Sequence, residues 1–341
     1  MSTIYLKDFT IEELSKFVES LGEKSFKGKQ VFKWLQNGAT TFSMMTDLSK
    51  NLREKLQEVA EISMGKISLV QKSKSDGTRK YLIELRDKVK IEAVFMKYKH
   101  GNSICISSQA GCRMGCTFCA SGKEGLLRNL SPGEMIEQIH LVERDTGKKI
   151  SNIVVMGTGE PFDNYDNLLK FIEIVNSPQG LNIGKRKITV STCGIIPKIK
   201  EFAKDMPQVN LAISLHNPIN EERSKIMPIN NKYDIEELID VAGEYAEKTG
   251  RRVSFEYALI EGQNDSNEII YNLCNKLKKG HFHVNLIPLN NIEEGKEKGT
   301  SRERAEEIRK KLEGYGIEAT LRRELGGDID AACGQLRLKN S

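Results

Sequence analysis

A partial, TIM-like (β/α)6 barrel with a small N-terminal accessory domain of helices and strands is the α/β fold class that the sequence predicts. Three observations carry it. From about residue 100 onward, short β-rich runs alternate with amphipathic helical stretches, and six or more such alternations in succession favour a barrel or partial barrel. Up to about residue 58 the apolar positions recur with helical spacing. Between these regions, residues 66–98 alternate as strands do, around a turn at Asp76-Gly77.

Taken in order, TIEELSKFVESLG, FKGKQVFKWLQNG and LSKNLREKLQEV read as three helices of a small unit, with Trp34 in its core. ISLVQKSKSDGTRKYLIEL then reads as a hairpin and VKIEAVFMKY as a third strand. The barrel strands are SICISS, NIVVMG, KITVST, NLAISLH, VSFEYALI, HVNLIPL and EATLRR. The helices between them fall near 131–146, 165–176, 196–205, 234–249, 266–279 and 301–314. In such a barrel the chemistry collects in the loops after the C-terminal ends of strands.

Composition narrows the function. With 341 residues, 38% of them hydrophobic and 29% charged, the chain is an ordinary globular protein with room for one large and one small domain. No apolar run approaches the roughly 18 residues of a transmembrane helix, and the start lacks the basic-then-apolar order of a signal peptide, so a cytoplasmic location is expected. Seven cysteines are too few for a disulfide scaffold and are left for chemistry. The net charge is +5, yet residues 66–99 alone hold ten Lys or Arg against four Asp or Glu. Clustered cations of this kind suit a polyanion, while the plainer reading is a solvated face.

Three of the cysteines crowd together. Cys112, Cys116 and Cys119 stand at Cys-x3-Cys-x2-Cys spacing in the loop QAGCRMGCTFCASG after the first barrel strand. Three thiolates hold soft metals, and an iron–sulfur cluster bound by three would leave one iron open. Structural zinc wants a fourth ligand, for which Cys105 or His100 is available. Around this loop, Gly159 and Glu160 in MGTGEPFDN offer close backbone approach and an acceptor for a ligand ammonium. Ser191, Ser214, Leu215, His216 and Asn290 stand at further strand ends, with His216 read as a structural hydrogen-bonding group rather than a metal ligand. Cys333 in ELGGDIDAACGQL and Cys105 on its strand are unexplained by packing, and Glu92 reads as a solvated strand carboxylate.

CRMGCTFC resembles the signature of radical S-adenosylmethionine enzymes, which implies a [4Fe-4S] cluster and S-adenosyl-L-methionine as cofactors. Taken together, VKIEAVFMKY, CISSQAGCRMGCTFCASG, VVMGTGEPFDN, VSTCGIIP, LAISLHNP, NLIPLNN, GGDIDAACGQL and FKGKQVFKWL resemble the RlmN family of adenine C2 methyltransferases over nearly the whole chain. The resemblance implies a radical SAM barrel at 98–326, an accessory RNA-binding domain at 1–97 and a catalytic-cysteine segment at 327–341. It implies methylation of C2 of adenosine 2503 in 23S rRNA, with adenosine 37 of tRNA as a second target. The cluster ligands carry over onto Cys112, Cys116 and Cys119, and the cofactor contacts onto Gly159, Glu160, Ser191, Ser214, Leu215, His216 and Asn290. By the same resemblance Cys333 accepts the methyl group, Glu92 removes the C2 proton, and Cys105 attacks the Cys333 sulfur to release product, leaving a transient disulfide. An electron donor such as flavodoxin or ferredoxin, a monomeric state and no membrane partner are expected with it. The basic stretch and the Lys-rich helix near Trp34 become candidate RNA contacts.

Two rivals stand beside this reading. The related C8 methyltransferase family shares the cluster and both isolated cysteines, but tends to carry Ala where this chain has Pro161. A non-enzymatic zinc-dependent RNA-binding protein would use the cysteine triad and the basic stretch, and would leave Cys333 and Glu92 without a task.

Overall fold

The computed structural model describes residues 4–288, 298–323, 325–329 and 336. The N-terminal unit comprises β1 (Ile4–Tyr5), α1 (Ile11–Ser20), α2 (Phe26–Gln36), α3 (Lys50–Val59) and β2 (Ala60–Glu61), so each of the three expected helices forms. Thr10 opens α1 with a capping box: its hydroxyl accepts from the Glu13 N–H, and the Glu13 carboxylate accepts from the Thr10 N–H. Trp34 is half-buried against the core, with its indole N–H donated to Asp47.

Next come β3 (Gly65–Lys72), β4 (Arg79–Leu85), β5 (Lys90–Tyr98) and β6 (Gly101–Cys105), each antiparallel to the one before. A small hairpin of β7 (Gln109–Gly111) and β8 (Leu126–Asn129) follows. The chain then alternates through α4 (Pro132–Thr146), β9 (Asn152–Val155), α5 (Tyr165–Asn176), β10 (Ile188–Thr192), α6 (Ile196–Asp205) and β11 (Asn210–Ser214). It continues with α7 (Asn220–Ile226), α8 (Ile235–Thr249), β12 (Val253–Leu259), α9 (Asn267–Leu277), β13 (Phe282–Pro288), α10 (Arg302–Gly314) and β14 (Glu318–Leu321). Strands β6 and β9 to β14 run parallel, in sequence order, with helices on the outside. This is the expected open barrel of six β/α steps, finished by a seventh parallel strand.

The accessory strands are not a separate layer. One ten-stranded sheet runs from β14 through β6 to β5, β4 and β3, so residues 65–98 prolong the barrel wall and the 97/98 division falls inside β5. A two-residue connection between β5 and β6 leaves no linker across which the sheet could part. The helical unit instead packs outside, on α4. There Lys7 and Glu137 form a fully buried ion pair, and the His140 ring meets the Gln36 carbonyl at 3.1 Å. Burial pulls the Lys7 ammonium below its ordinary value and His140 well below its own, which leaves the imidazole neutral at pH 7.

The β3–β4 turn also fastens the segment that leads to Cys333. The Gly326 N–H donates to Asp76 Oδ2 at 2.8 Å, the Lys74 N–H to Asp328 Oδ2 at 2.8 Å, and the Ser75 hydroxyl to Asp328 Oδ1 at 3.3 Å. Partial burial alone would raise the Asp76 pKa, but the N–H donors of Gly326 and Thr78 outweigh it and bring it to about 2. A depressed carboxyl stabilises the fold above its unfolded pKa and loses that contribution as pH falls through the folded one. Asp76→Asn is therefore expected to lower stability by on the order of 1 kcal/mol at neutral pH, after solvent screening. The difference should shrink from about pH 4 and vanish near pH 2. Urea unfolding of both proteins across that range checks it; a gap unchanged at pH 2 would count against an ionised Asp76.

Candidate active site

Strands β10 to β12 turn their large apolar residues outward into the core beneath the helices and small or polar ones inward, leaving a cavity of about 630 Å3 over the C-terminal ends of the parallel strands. One wall is the cysteine loop. Gly111 begins it at φ +78°, where an added Cβ would lie 2.0 Å from the Gly125 carbonyl oxygen; only glycine lets the two ends of the loop close. The Cys112 N–H then donates to Gly125 O (2.9 Å), the Cys119 N–H to Cys116 O (3.1 Å), and the Thr117 N–H to Ile226 O at the end of α7 (3.0 Å). Cys112, Cys116 and Cys119 all line the cavity. Burial, and next the neighbouring thiols, push Cys112 up to about 11 and Cys116 up to about 12, once the opposing Met114 N–H bond to Cys112 is set against them. Among the described residues no three His, Cys, Asp or Glu side chains close on a single metal point. A cubane cluster asks for something else, three thiolates spaced along it on separate irons, and a polynuclear cation relieves the ionisation that burial and mutual repulsion oppose. The donor set fits such a cluster.

Opposite the loop stands the turn that carries Glu160. Gly159 sits at φ +114°, and an added Cβ would meet Gln109 Cβ at 2.6 Å and Gln109 N at 2.7 Å. The glycine thus lets the turn press against the chain's own segment at β7, which is a different reason from the ligand approach expected of it. The Glu160 N–H donates to Gln109 Oε1 (2.8 Å), while its carboxylate accepts from the Phe162 N–H (3.0 Å) and the Cys193 N–H (2.8 Å). Burial raises the Glu160 pKa and these donors oppose the rise. The Thr192 and Cys193 side chains also hydrogen-bond to this carboxylate, which lines the cavity where a ligand ammonium would enter.

Ser191 and Ser214 line the same cavity from the ends of β10 and β11, and His216 joins them. His216 holds φ +57°, and its Nδ1 accepts from the Ala258 N–H at 3.0 Å, which puts the ring proton on Nε2. Burial and then Arg223 lower its pKa to about 3, so it is neutral at pH 7. It is a structural hydrogen-bond acceptor with one donor to spare. Leu215 does not line the cavity; its side chain belongs to the main core and its carbonyl accepts from Arg223 Nε at 3.0 Å. Cys105 lines the cavity from β6, buried and in register with Val94 of β5. Glu92 shares the β5 face of Val94 and Met96 but lies behind the wall, 3% exposed, with its carboxylate 2.9 Å from the Lys80 ammonium. It is not the solvated carboxylate the residues alone suggested. Asn290 and Cys333 lie outside the described residues.

Two residues of the site were not anticipated. Glu256 lines the cavity from the middle of β12, buried, with Asn285 Nδ2 donating to its Oε2 at 2.8 Å, and burial raises its pKa. A lone carboxylate in the otherwise apolar VSFEYALI was the available signal. Arg223 of α7 is fully buried under the cavity floor. It donates to the carbonyls of Cys193 (2.9 Å), Ser214 (3.0 Å) and Leu215 (3.0 Å) and to Asn230 Oδ1 (2.7 Å). On the far side of the cysteine loop lies an open groove of about 610 Å3, and Met114 lines both it and the cavity.

A thiol-rich loop over an open six-step barrel defines a class, the radical S-adenosylmethionine enzymes, and the radical SAM superfamily matches residues 106–274. A radical SAM methyltransferase from Sphaerobacter thermophilus, known from its crystal structure, superposes with a TM-score of 0.93 at 39% identity, over 97% of this chain and 98% of that one. The ribosomal RNA large subunit methyltransferase N-terminal domain matches residues 4–62. Two relatives carry the name "Probable dual-specificity RNA methyltransferase RlmN". That of Lachnospira eligens is 52% identical over 98% of this chain and 96% of its own length. That of Caldanaerobacter subterraneus subsp. tengcongensis is 53% identical over 98% of each. The chain belongs to the RlmN family. Its cofactors are accordingly a [4Fe-4S] cluster and S-adenosylmethionine, and the zinc-dependent, non-enzymatic reading falls. Among the described residues no helix is long and apolar enough to cross a membrane.

Proposed function

We propose that the protein methylates C2 of adenosine 2503 in 23S rRNA and of adenosine 37 in tRNAs, as a cytoplasmic monomer reduced by a flavodoxin or ferredoxin. The observation that carries the reading is the placement of Cys105 in the cavity walled by Cys112, Cys116 and Cys119. A fourth thiol lining this cavity is not needed to hold three irons, but it has a purpose in resolving a thioether. The "dual-specificity" name of the relatives supports both RNA substrates.

When bound, the cluster and S-adenosylmethionine supply a strong one-electron reductant, a methyl group and a 5'-deoxyadenosyl radical for hydrogen abstraction. The chain's own residues do the rest. Cys112, Cys116 and Cys119 hold three irons and leave the fourth open. Glu160 would accept from the cofactor's ammonium, and Gly159, Ser191, Ser214, His216 and Asn290 would fix its remaining groups, with Leu215, whose backbone is bonded to Glu256, Asn217 and Arg223, holding the end of β11 in place. Cys333 carries the methyl carbon to the adenine. Glu92, behind the cavity wall on the β5 face of Val94 and Met96, takes the C2 proton, and the one electron left on the adduct would return to the cluster. The Cys105 thiolate then attacks the Cys333 sulfur: an S–S bond forms, the S–C bond breaks, and its electron pair leaves on the methylene carbon, which gains a proton to become the methyl group. The disulfide needs two electrons from a thiol reductant before the next turnover. For the electron donor, the outer groove is suited by its position, since Met114 of the cysteine loop lines both it and the cavity.

Mass spectrometry of nuclease digests after reaction with 23S rRNA fragments and with tRNA tests the proposal. The expected product is 2-methyladenosine from both. An 8-methyladenosine product alone would assign the chain to the C8 branch despite Pro161.

A further inference from the structure

The charged residues around the cavity are sorted by depth. Its two carboxylates, Glu160 and Glu256, are 3% and 7% exposed in the wall. Three arginines, Arg302 at the start of α10 and Arg322 and Arg323 just past β14, also line it and are exposed. None of the three makes a salt bridge among the described residues. Arg322 and Arg323 stand at the end of β14, where their charge bears on Tyr98 at the end of β5, and Arg322 bears also on the buried Glu256 carboxylate.

The basic stretch that composition pointed to is different. Lys66 and Lys88 share Glu84, Arg79 pairs with Asp145, Lys80 with Glu92 and Arg86 with Glu61. At least half of its ten cations are thus committed within the chain. Arginines that line a cavity mouth without an ion pair among the described residues are placed for a ligand, and the arginine fork matches phosphate oxygens.

From this arrangement we propose that Arg302, Arg322 and Arg323 bind the backbone phosphates on either side of the nucleotide whose base enters the cavity. This rests on the reading of the site as one that takes an RNA adenine. A base drawn into a barrel leaves its own phosphodiesters at the entrance, where two or three guanidinium groups fix register without reading sequence. The ligand class is therefore a ribonucleotide backbone, independent of which base is modified.

The test uses the full-length, cluster-loaded protein and a fluorescent RNA hairpin carrying the target adenosine. Affinity is measured over a salt series for the wild type, for each Arg→Gln variant, and for the triple variant. Each lost phosphate contact lowers the slope of log K against log salt by about 0.7 to 0.9, so the triple variant is expected to lose about 2. Each single change should weaken binding about tenfold, with the loss falling on KM for RNA. Should the glutamine variants not fold, the same question is put to the wild type with methylphosphonates at the two phosphates flanking the target. Their neutral linkages should weaken binding by a similar factor. In variants that do fold, the two losses should not add.

A slope unchanged in the triple variant, or full wild-type affinity for the methylphosphonate RNA, overturns the proposal. So does an unchanged slope accompanied by slower cluster reduction by an acidic donor protein, which would assign the arginines to that partner. Steep, arginine-dependent binding without 2-methyladenosine would sink the catalytic reading and leave this one standing.

Discussion

Cys105→Ala is expected to accumulate a covalent protein–RNA adduct through Cys333 and to release at least about a thousandfold less methylated RNA, whereas Cys333→Ala forms neither adduct nor product. The asymmetry follows from the order of bond making. With Cys333 absent there is no sulfur to carry the methyl carbon, so nothing is joined to RNA. With Cys105 absent the thioether forms but has no thiolate to cleave it. Cys105 is suited to that attack because β6 delivers it into the cavity beside Val94, on the same side as the cysteine loop. Digestion with nuclease and protease, followed by mass spectrometry, should find a nucleotide on the peptide that contains Cys333. If both variants still make product and neither traps RNA, the two-cysteine scheme is wrong.

Legibility in the sequence tracked the range of the interactions involved. All seven parallel strands and six of the seven helices between them could be read, because burial on one face leaves a period of 2 or 3.6 in the residues themselves; the two-turn α7 that carries Arg223 could not. The short β7–β8 hairpin that frames the cysteine loop was invisible, since strands of three and four residues paired fifteen to twenty residues apart carry no period. Nor could the sequence say that β3 to β5 extend the barrel, because an antiparallel edge and a separate small sheet share one pattern. The triad at Cys112, Cys116 and Cys119 was legible from spacing alone. Glu92 was not: as a residue it reads as a solvated carboxylate, and only the Lys80 ion pair across β4 and β5 explains its burial. Gly159 was selected for the right place but for a different reason, the contact with Gln109.

Arg223→Ala is expected to destabilise the protein by about 4 kcal/mol or more, among the largest losses for any single side chain outside the cysteines. Fully buried guanidinium groups are costly unless every donor is met, and Arg223 meets three carbonyls and one side-chain amide with no carboxylate in the set. Burial lowers its pKa to about 10, which still leaves it charged at neutral pH. Its carbonyl partners belong to Cys193, Ser214 and Leu215, just past β10 and at the end of β11, so one side chain ties together two of the strand ends that line the site. Truncation leaves those carbonyls buried without a donor. Arg223→Lys keeps the charge but presents three donors from one nitrogen instead of a planar fork, and should still cost about 2 kcal/mol. Guanidinium chloride unfolding gives both numbers. The affinity for S-adenosylmethionine, measured on folded Arg223→Lys protein, should fall more than global stability predicts if the strand ends splay. Unchanged affinity, with stability alone reduced, would show that the floor holds its shape without the fork.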